Sequence, residues 1–221
     1  KLKYSQNQLV PSIGSNPDDG FKIGLNNTFT VYGFNRNPFT QQHGLNLSYY
    51  FATKGYDLQF SSEFANIFNR WNFILESHIT SPNFSINHFG FGNETTNFEE
   101  VYNDDYHRVK ISTIKTAPSI TWKGRMGAAF KLGGSIEGIE VEETIDRFIN
   151  TIPNVPVERK SYLGFHSSYS YENYDNAAFP TLGMHFSLET GWKSNLENSD
   201  QNHTYFTPSL GFNYKISSGG S

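Results

Sequence analysis

The amino-acid sequence predicts an all-β fold, an antiparallel up-and-down transmembrane β-barrel, seen in part as about nine strands, and three observations predict it. Apolar and polar residues alternate with period two from Phe21 almost to the end of the chain. The alternating runs reach ~9–11 residues, enough to cross a bilayer at a tilt, whereas soluble strands average only ~5–6. Hydrophobic residues make up 36% of the chain, below the ~45–50% usual for a soluble domain. Yet 16% of the residues are aromatic, with 20 Phe and 13 Tyr. Lipid-facing strands with a wet interior and aromatic girdles at the two interfaces have that composition.

The first run sets Phe21, Ile23, Leu25, Phe29 and Val31 against Lys22, Asn26, Thr28 and Thr30. The second sets Leu45, Leu47, Tyr49 and Phe51 against Asn46, Ser48 and Tyr50, and the tripeptide Thr53-Lys54-Gly55 then reads as a tight hairpin turn. The third run opposes Tyr56, Leu58, Phe60 and Phe64 to Asp57, Gln59, Ser61 and Glu63. A short turn at Asn69-Arg70 leads to the fourth, with Trp71, Phe73, Leu75 and Ile79 opposite Asn72, Glu76, His78 and Thr80, and Pro82 ends it. A long polar loop follows. Tyr106 to Ala117 alternates less cleanly, with Val109 and Ile111 on one face and Arg108 and Lys110 on the other.

The sharpest run reads Ile120, Trp122, Met126, Ala128, Phe130 and Leu132 against Thr121, Lys123, Arg125 and Lys131. Gly133 to Arg159 is acidic and contains Pro; its first half can extend a strand and its second half reads as loop. The last three runs carry Leu163, Phe165, Tyr169 and Tyr171; then Met184, Phe186, Leu188 and Trp192; then Phe206, Leu210, Phe212 and Tyr214. Opposite them stand His166, Ser168 and Ser170; His185, Ser187, Glu189 and Lys193; Ser209, Gly211 and Asn213. Residues 1–20 are thus expected to be a lead-in segment, 21–216 the strands and loops, and 217–221 a linker or the next turn. Closed single-chain barrels use even strand numbers, so a count near nine implies one misread strand or further strands after Ser221.

The formal net charge is −4 and only 17% of residues are charged. No basic field attracts nucleic acid, which is discounted as a partner. The absence of Cys removes disulfides, thiolate metal sites and cysteine nucleophiles together. No stretch approaches the ~20 apolar residues of a spanning helix, and no charged-then-apolar leader opens the chain. The sequence is expected to be a mature protein or part of one.

Three local features go beyond periodicity. The stretch Pro11-Ser12-Ile13-Gly14-Ser15-Asn16-Pro17-Asp18-Asp19-Gly20 leads into Phe21-Lys22-Ile23-Gly24. The first hairpin carries Tyr32-Gly33-Phe34-Asn35-Arg36-Asn37-Pro38-Phe39, and the block Asn87-His88-Phe89-Gly90-Phe91-Gly92-Asn93-Glu94-Thr95 follows the fourth run. In this order and spacing they resemble the barrel of the bacterial surface-antigen superfamily, BamA/FhaC-like outer-membrane proteins. The nearest resemblance is to the branch whose barrel follows a metallophosphoesterase-like domain. Glu140 to Arg147, Tyr174-Asp175-Asn176 and Phe179-Pro180-Thr181-Leu182-Gly183 also look like that family. The resemblance implies residence in the bacterial outer membrane, an attached domain upstream and more strands downstream. It also implies a role in anchoring or exporting that domain, or in protein or lipid passage or insertion. Outer-membrane lipid, and periplasmic or surface proteins, would be the partners.

No residue is assigned a catalytic, cofactor-binding or metal-binding role, and the segment is not expected to be an enzyme. Glu99, Glu100, Asp104 and Asp105, and Glu140, Glu142, Glu143 and Asp146, are carboxylate-rich but lack EF-hand spacing and read as solvated loop charges. The seven His residues form no zinc-spaced pair; His78, His166 and His185 fall on polar faces, where a hydrogen-bonded interior role is expected. No GxSxG elbow is present, so a lipase would have to combine Ser168 with His166 or His185. Gly90 and Gly92 read as turn formers beside Phe89 and Phe91, packed inside the barrel or at its rim, and not as a phosphate cradle, since no helix follows. The rival to the barrel is a soluble β-sandwich carbohydrate-binding module with exposed Tyr and Trp as its platform. Trp71, Trp122 and Trp192 each lie near the end of a run, where an interfacial girdle would put them.

Overall fold

The computed structural model describes residues 4–16, 19–33, 38–82, 85–90, 92, 95–98, 100–103, 105–124, 127–152, 159–176, 178–198 and 202–215. Eleven strands form one antiparallel system: β1 (Gln6–Asn16), β2 (Gly20–Val31), β3 (Gln41–Tyr50), β4 (Gly55–Phe68), β5 (Trp71–Thr80), β6 (Ser85–Asn87), β7 (Arg108–Lys123), β8 (Ala128–Val141), β9 (Lys160–Tyr174), β10 (Leu182–Asn195) and β11 (His203–Tyr214). Neighbours in sequence are neighbours in space, β1-β2-β3-β4-β5-β7-β8-β9-β10-β11, with the short β6 paired to the start of β7. A single 3-10 turn, Phe148–Thr151, is the helical element among the described residues. Of the residues named above, Pro17, Asp18, Phe34 to Asn37, Phe91, Asn93 and Glu94 lie outside the described residues, as do the carboxylates Glu99 and Asp104, Arg125 and Met126, and the segment 217–221.

The strand count exceeds the nine expected because Gln6–Asn16 and Ser85–Asn87 are strands as well, and one expected run is divided differently by the fold without changing the total. Gln6–Asn16, expected as lead-in, is β1 and pairs along its whole length with β2. Pro11 and the inward-facing Val10 blur its alternation, and an edge strand tolerates the missing N–H of a proline. The run from Ile120 to Leu132 is not one strand. Ile120 and Trp122 end β7, whereas Phe130 and Leu132 begin β8, and Trp122 pairs with Phe130 and Ile120 with Leu132. Gly127, at φ +75°, makes the turn possible. Directly paired residues of an antiparallel ladder share a face, so alternation passes through the hairpin unbroken and masks it. The Asn69-Arg70 turn is as expected: φ is +32° and +72° at the two positions, the sign pair of a two-residue primed hairpin.

The two faces of the sheet have inverted chemistry. Leu25 pairs with Leu47, Leu47 with Leu58, Leu58 with Ile79 and Ile79 with Ile114, so one aliphatic row crosses five strands on one face. That face is open: Ile13, Ile23, Ile136, Phe165, Leu210 and Phe212 are 74%, 47%, 63%, 55%, 60% and 71% exposed. On the other face Thr30, Asn72, Ser119, Thr121, Ser135 and Glu137 are buried. Among the described residues the buried hydrophobic ones are Tyr50, Ala65, Tyr106, Val109 and Ala117, too few for an apolar core.

Accessible area gives the same result. A compact soluble monomer of 25.1 kDa exposes about 10,300 Å², whereas this chain exposes 15050 Å². The polar face is concave: side chains from β3 to β11 line one cavity of about 610 Å³. Among the described residues β1 and β11 pair on one side only.

The connections at the two ends differ. β2–β3, β4–β5, β7–β8 and β9–β10 turn at one end through at most nine residues, against 27 residues from Ser81 to His107 and 18 from Glu142 to Arg159 at the other. Those two long connections fold into a cap with a small core of its own. Val109 faces inward beneath it and is buried, which is why β7 alternates poorly at its start. His107, fully buried, has Phe89, Phe148, Tyr106 and Phe98 around it at 4.5, 5.0, 5.2 and 6.1 Å between ring centroids. Its Nε2 accepts from the Phe98 N–H at 3.0 Å, and its Nδ1 donates to the His88 carbonyl at 3.1 Å. Both ring nitrogens are therefore committed to backbone.

Candidate functional site

The concave face is where the charged side chains converge. Strand register sets them in rows. Asn46, Gln59, His78, Lys115, Glu137 and Tyr162 form one row from β3 to β9. A second runs Gln42, Glu63, Ile74, Ser119, Gly133, His166, Gly191 and Tyr205, ending on β11.

Among the described residues three ion pairs skip a strand. Glu63 of β4 meets Lys123 of β7 at 3.5 Å, Glu76 of β5 meets Lys131 of β8 at 3.3 Å, and Glu137 of β8 meets Lys193 of β10. Two strand spacings are ~9.6 Å, a gap that the concavity and the long Lys side chains close. What lies beneath each pair is short. Ala117 faces Glu76 across β5 and β7, Gly164 faces Lys193 across β9 and β10, and the Asn72 amide donates to Glu63 at 2.6 Å. Glu137 and Lys193 keep only 11% and 25% of their side-chain surface exposed. A pair so desolvated adds little net stability, but removing one partner strands the other charge.

Glycine has a second use on this face. A Cβ on Gly133 would sit 2.6 Å from the His166 ring and 2.9 Å from Ser119 Cβ, and one on Gly191 would sit 2.5 Å from the Tyr205 ring. The rings of His166 and Tyr205 therefore lie flat across neighbouring strands. The Tyr205 hydroxyl donates to Glu189 at 3.2 Å.

The three histidines singled out from sequence all lie here, but apart. His78 contacts Asp57 at 3.1 Å, His185 contacts Glu172 at 3.4 Å, and His166 packs over Gly133. Ser168 is opposite Glu189, two residues along β9 from His166 and four along the ladder from the Glu172–His185 pair, separations of ~7 and ~13 Å. The three do not form a nucleophile–base constellation. Of the carboxylates, Asp105 is held by Arg108 at 2.8 Å and Arg147 at 3.7 Å, and Glu140 by Arg159 at 2.9 Å. Among the described residues no group of three or more His, Asp or Glu is placed to hold a metal ion. Gly90 and Gly92 have φ of +108° and +91°, and Phe89 packs in the cap at the rim.

Sequence reasoning missed the strand-skipping pairs and the cap. Lys and Glu on alternating positions are visible in the chain, but which strand each reaches depends on curvature. The aromatic residues around His107 follow no period. At the β9–β10 turn, outside the strands, the Thr181 hydroxyl and the N–H groups of Leu182 and Thr181 donate to Asp175, at 3.0 Å and 2.9 Å for the two amides. These bonds, the hydroxyl's first, hold the Asp175 carboxyl well below its ordinary range. No family model matches the chain, and no curated protein is similar to it.

Proposed function

We propose that this chain is part of the wall of a bacterial outer-membrane β-barrel that anchors or exports an attached domain, or assists protein or lipid passage or insertion at that membrane. The observation that carries the reading is the inversion of the two faces. Phe, Leu and Ile rows are uncovered on the convex side, while Ser, Thr and Asn are buried on the concave side. In water the exposed rows would forfeit ~25 cal/mol per Å² of apolar surface; a lipid chain removes that cost. A sandwich would cover those rows with a second sheet, and among the described residues the extensive strand contacts run between sheet neighbours.

Aromatic residues mark both edges of the apolar band. Phe21, Tyr49 and Phe51 cluster at the capped end, with ring centroids 5.7 and 5.3 Å apart. Trp71, Trp122, Phe130 and Tyr169 form a cross-strand row at the other end. Outer-membrane barrels carry long loops outside and short turns on the periplasmic side, so the cap faces outward and β1 starts from the periplasm. The unpaired edges of β1 and β11 call for further strands, because bare N–H and C=O groups cost several kcal/mol each in hydrocarbon.

Because the chain has no Cys, single Cys replacements report cleanly. With spin labels at Leu47, Phe60 and Leu188 in vesicle-reconstituted native polypeptide, oxygen should relax the label more than a water-soluble nickel chelate does. Labels at Ser48, Gln59 and Ser187 should show the reverse. Nickel accessibility at all six positions would end the proposal.

A further inference from the structure

We propose that the cap carries a binding cleft for neutral sugars, built on a stacked tyrosine pair and separate from the concave face. The cleft, about 950 Å³, is lined by Tyr102, Tyr106, Asn103, Glu143, Asp146 and Asn150, with Arg147. The site begins with the rings. Tyr102 and Tyr106 stack at 4.3 Å between centroids and 13° between planes. Tyr106 is buried at 8% exposure, whereas Tyr102 is 61% exposed, so one face of Tyr102 rests on protein and the other is open. The support is fixed: the Tyr102 N–H donates to the Phe98 carbonyl at 3.1 Å, and the Tyr106 N–H to the Asn103 carbonyl at 3.0 Å. Tyr106 packs in turn on Phe148 and on the buried His107. An exposed ring held on a buried one is a preorganised flat apolar platform, and little entropy is lost when a ligand settles on it.

The polar groups around the platform select what can settle there. Arg147 is spent on Asp105, through an ion pair at 3.7 Å and a hydrogen bond to the Asp105 carbonyl. The Asn150 amide N–H donates to the Thr144 carbonyl at 2.6 Å, and Asn103 Oδ1 accepts from the Asp105 N–H at 3.0 Å. That leaves the amide oxygen of Asn150, the amide nitrogen of Asn103 and the carboxylates of Glu143 and Asp146 pointing no hydrogen bond at protein among the described residues. Acceptors predominate. A pyranose offers what this set lacks, a C–H face for the ring and several O–H donors at its edge, two of which a carboxylate can take together. Asp105 is shared between Arg108 and Arg147, and the carboxylates of Glu143 and Asp146 outweigh the one guanidinium charge left over, so the cleft stays net negative and repels sialylated or phosphorylated glycans.

The test uses the full chain in its native polypeptide, in a detergent without a sugar head group. Neutral hexose and N-acetylhexosamine disaccharides and their sialylated counterparts are the probes, read by saturation-transfer NMR and calorimetry. A neutral disaccharide should bind and its sialylated counterpart should bind more weakly. Tyr102→Ala should weaken the neutral ligand by about tenfold or more, while Tyr102→Phe, which keeps the stack, should stay within about threefold. Glu143→Gln with Asp146→Asn should narrow the neutral-to-sialylated preference. Far-UV and near-UV circular dichroism show whether each variant keeps its fold; if Tyr102→Ala loses the cap, the carboxamide pair alone decides. No binding by any neutral probe, equal binding by Tyr102→Ala with the fold intact, or tighter binding of the sialylated probe would each overturn the proposal. Because the spin-label experiment reads the strand faces, either result stands without the other.

Discussion

Phe60→Arg should be among the most damaging single changes in the sheet, and Gln59→Arg, one residue away, among the mildest. Phe60 lies on the convex face between Leu45 and Ser77, four residues from Tyr56 and four from Phe64. At ~3.3 Å per residue and a tilt of ~40°, that places it ~10 Å below each of those flanking aromatic rings, near the middle of the apolar band. A charge at the bilayer midplane of such a barrel costs ~2–4 kcal/mol, a roughly 30- to 700-fold shift in the folding equilibrium. Gln59 lines the concave cavity, where water and the nearby Asp57 can solvate a guanidinium, so its cost should stay below ~1 kcal/mol. The assay is urea-dependent folding of the native polypeptide into lipid vesicles, followed by heat-modifiable gel mobility. Equal costs at the two positions, or a greater cost at Gln59, would refute the two-faced assignment.

Gly133→Val should destabilise by ~1–3 kcal/mol through overpacking, and His166→Ser in the same chain should recover part of that, since the ring is the nearer of the two obstacles; a double-mutant cycle with no coupling would contradict the packing. His107→Ala removes the acceptor of the buried Phe98 N–H, the donor to the His88 carbonyl and the ring at the centre of the cap core, so the cap should lose ~2–4 kcal/mol and its near-UV aromatic signal while the sheet keeps its far-UV spectrum. Asp175 is acidified by the fold, so its hydrogen bonds add stability above about pH 4, the range in which the unfolded carboxyl is ionised, and that contribution fades as pH falls through the lower folded value. Amide exchange at Thr181 and Leu182 should therefore accelerate, relative to Asp175→Asn, as the pH drops below about 4; the same pH profile in both forms would remove the assignment.

The period-two pattern, read one residue at a time, determined which face of each strand is apolar, because side chains on a strand alternate whatever the strand pairs with. Leu47 against Ser48, Phe60 against Gln59 and Leu188 against Ser187 were legible for that reason, and so was the Asn69-Arg70 turn, whose geometry is local. Where a strand ends is less local: the β7–β8 turn preserved the alternation, and Pro11 disguised β1. The strand-skipping pairs of Glu76 with Lys131 and Glu137 with Lys193, and the ring of aromatic residues around His107, belong to tertiary structure alone. A residue's face depends on its own backbone, whereas its partner two strands away depends on how sharply the whole sheet curls, and no stretch of sequence encodes that curvature by itself.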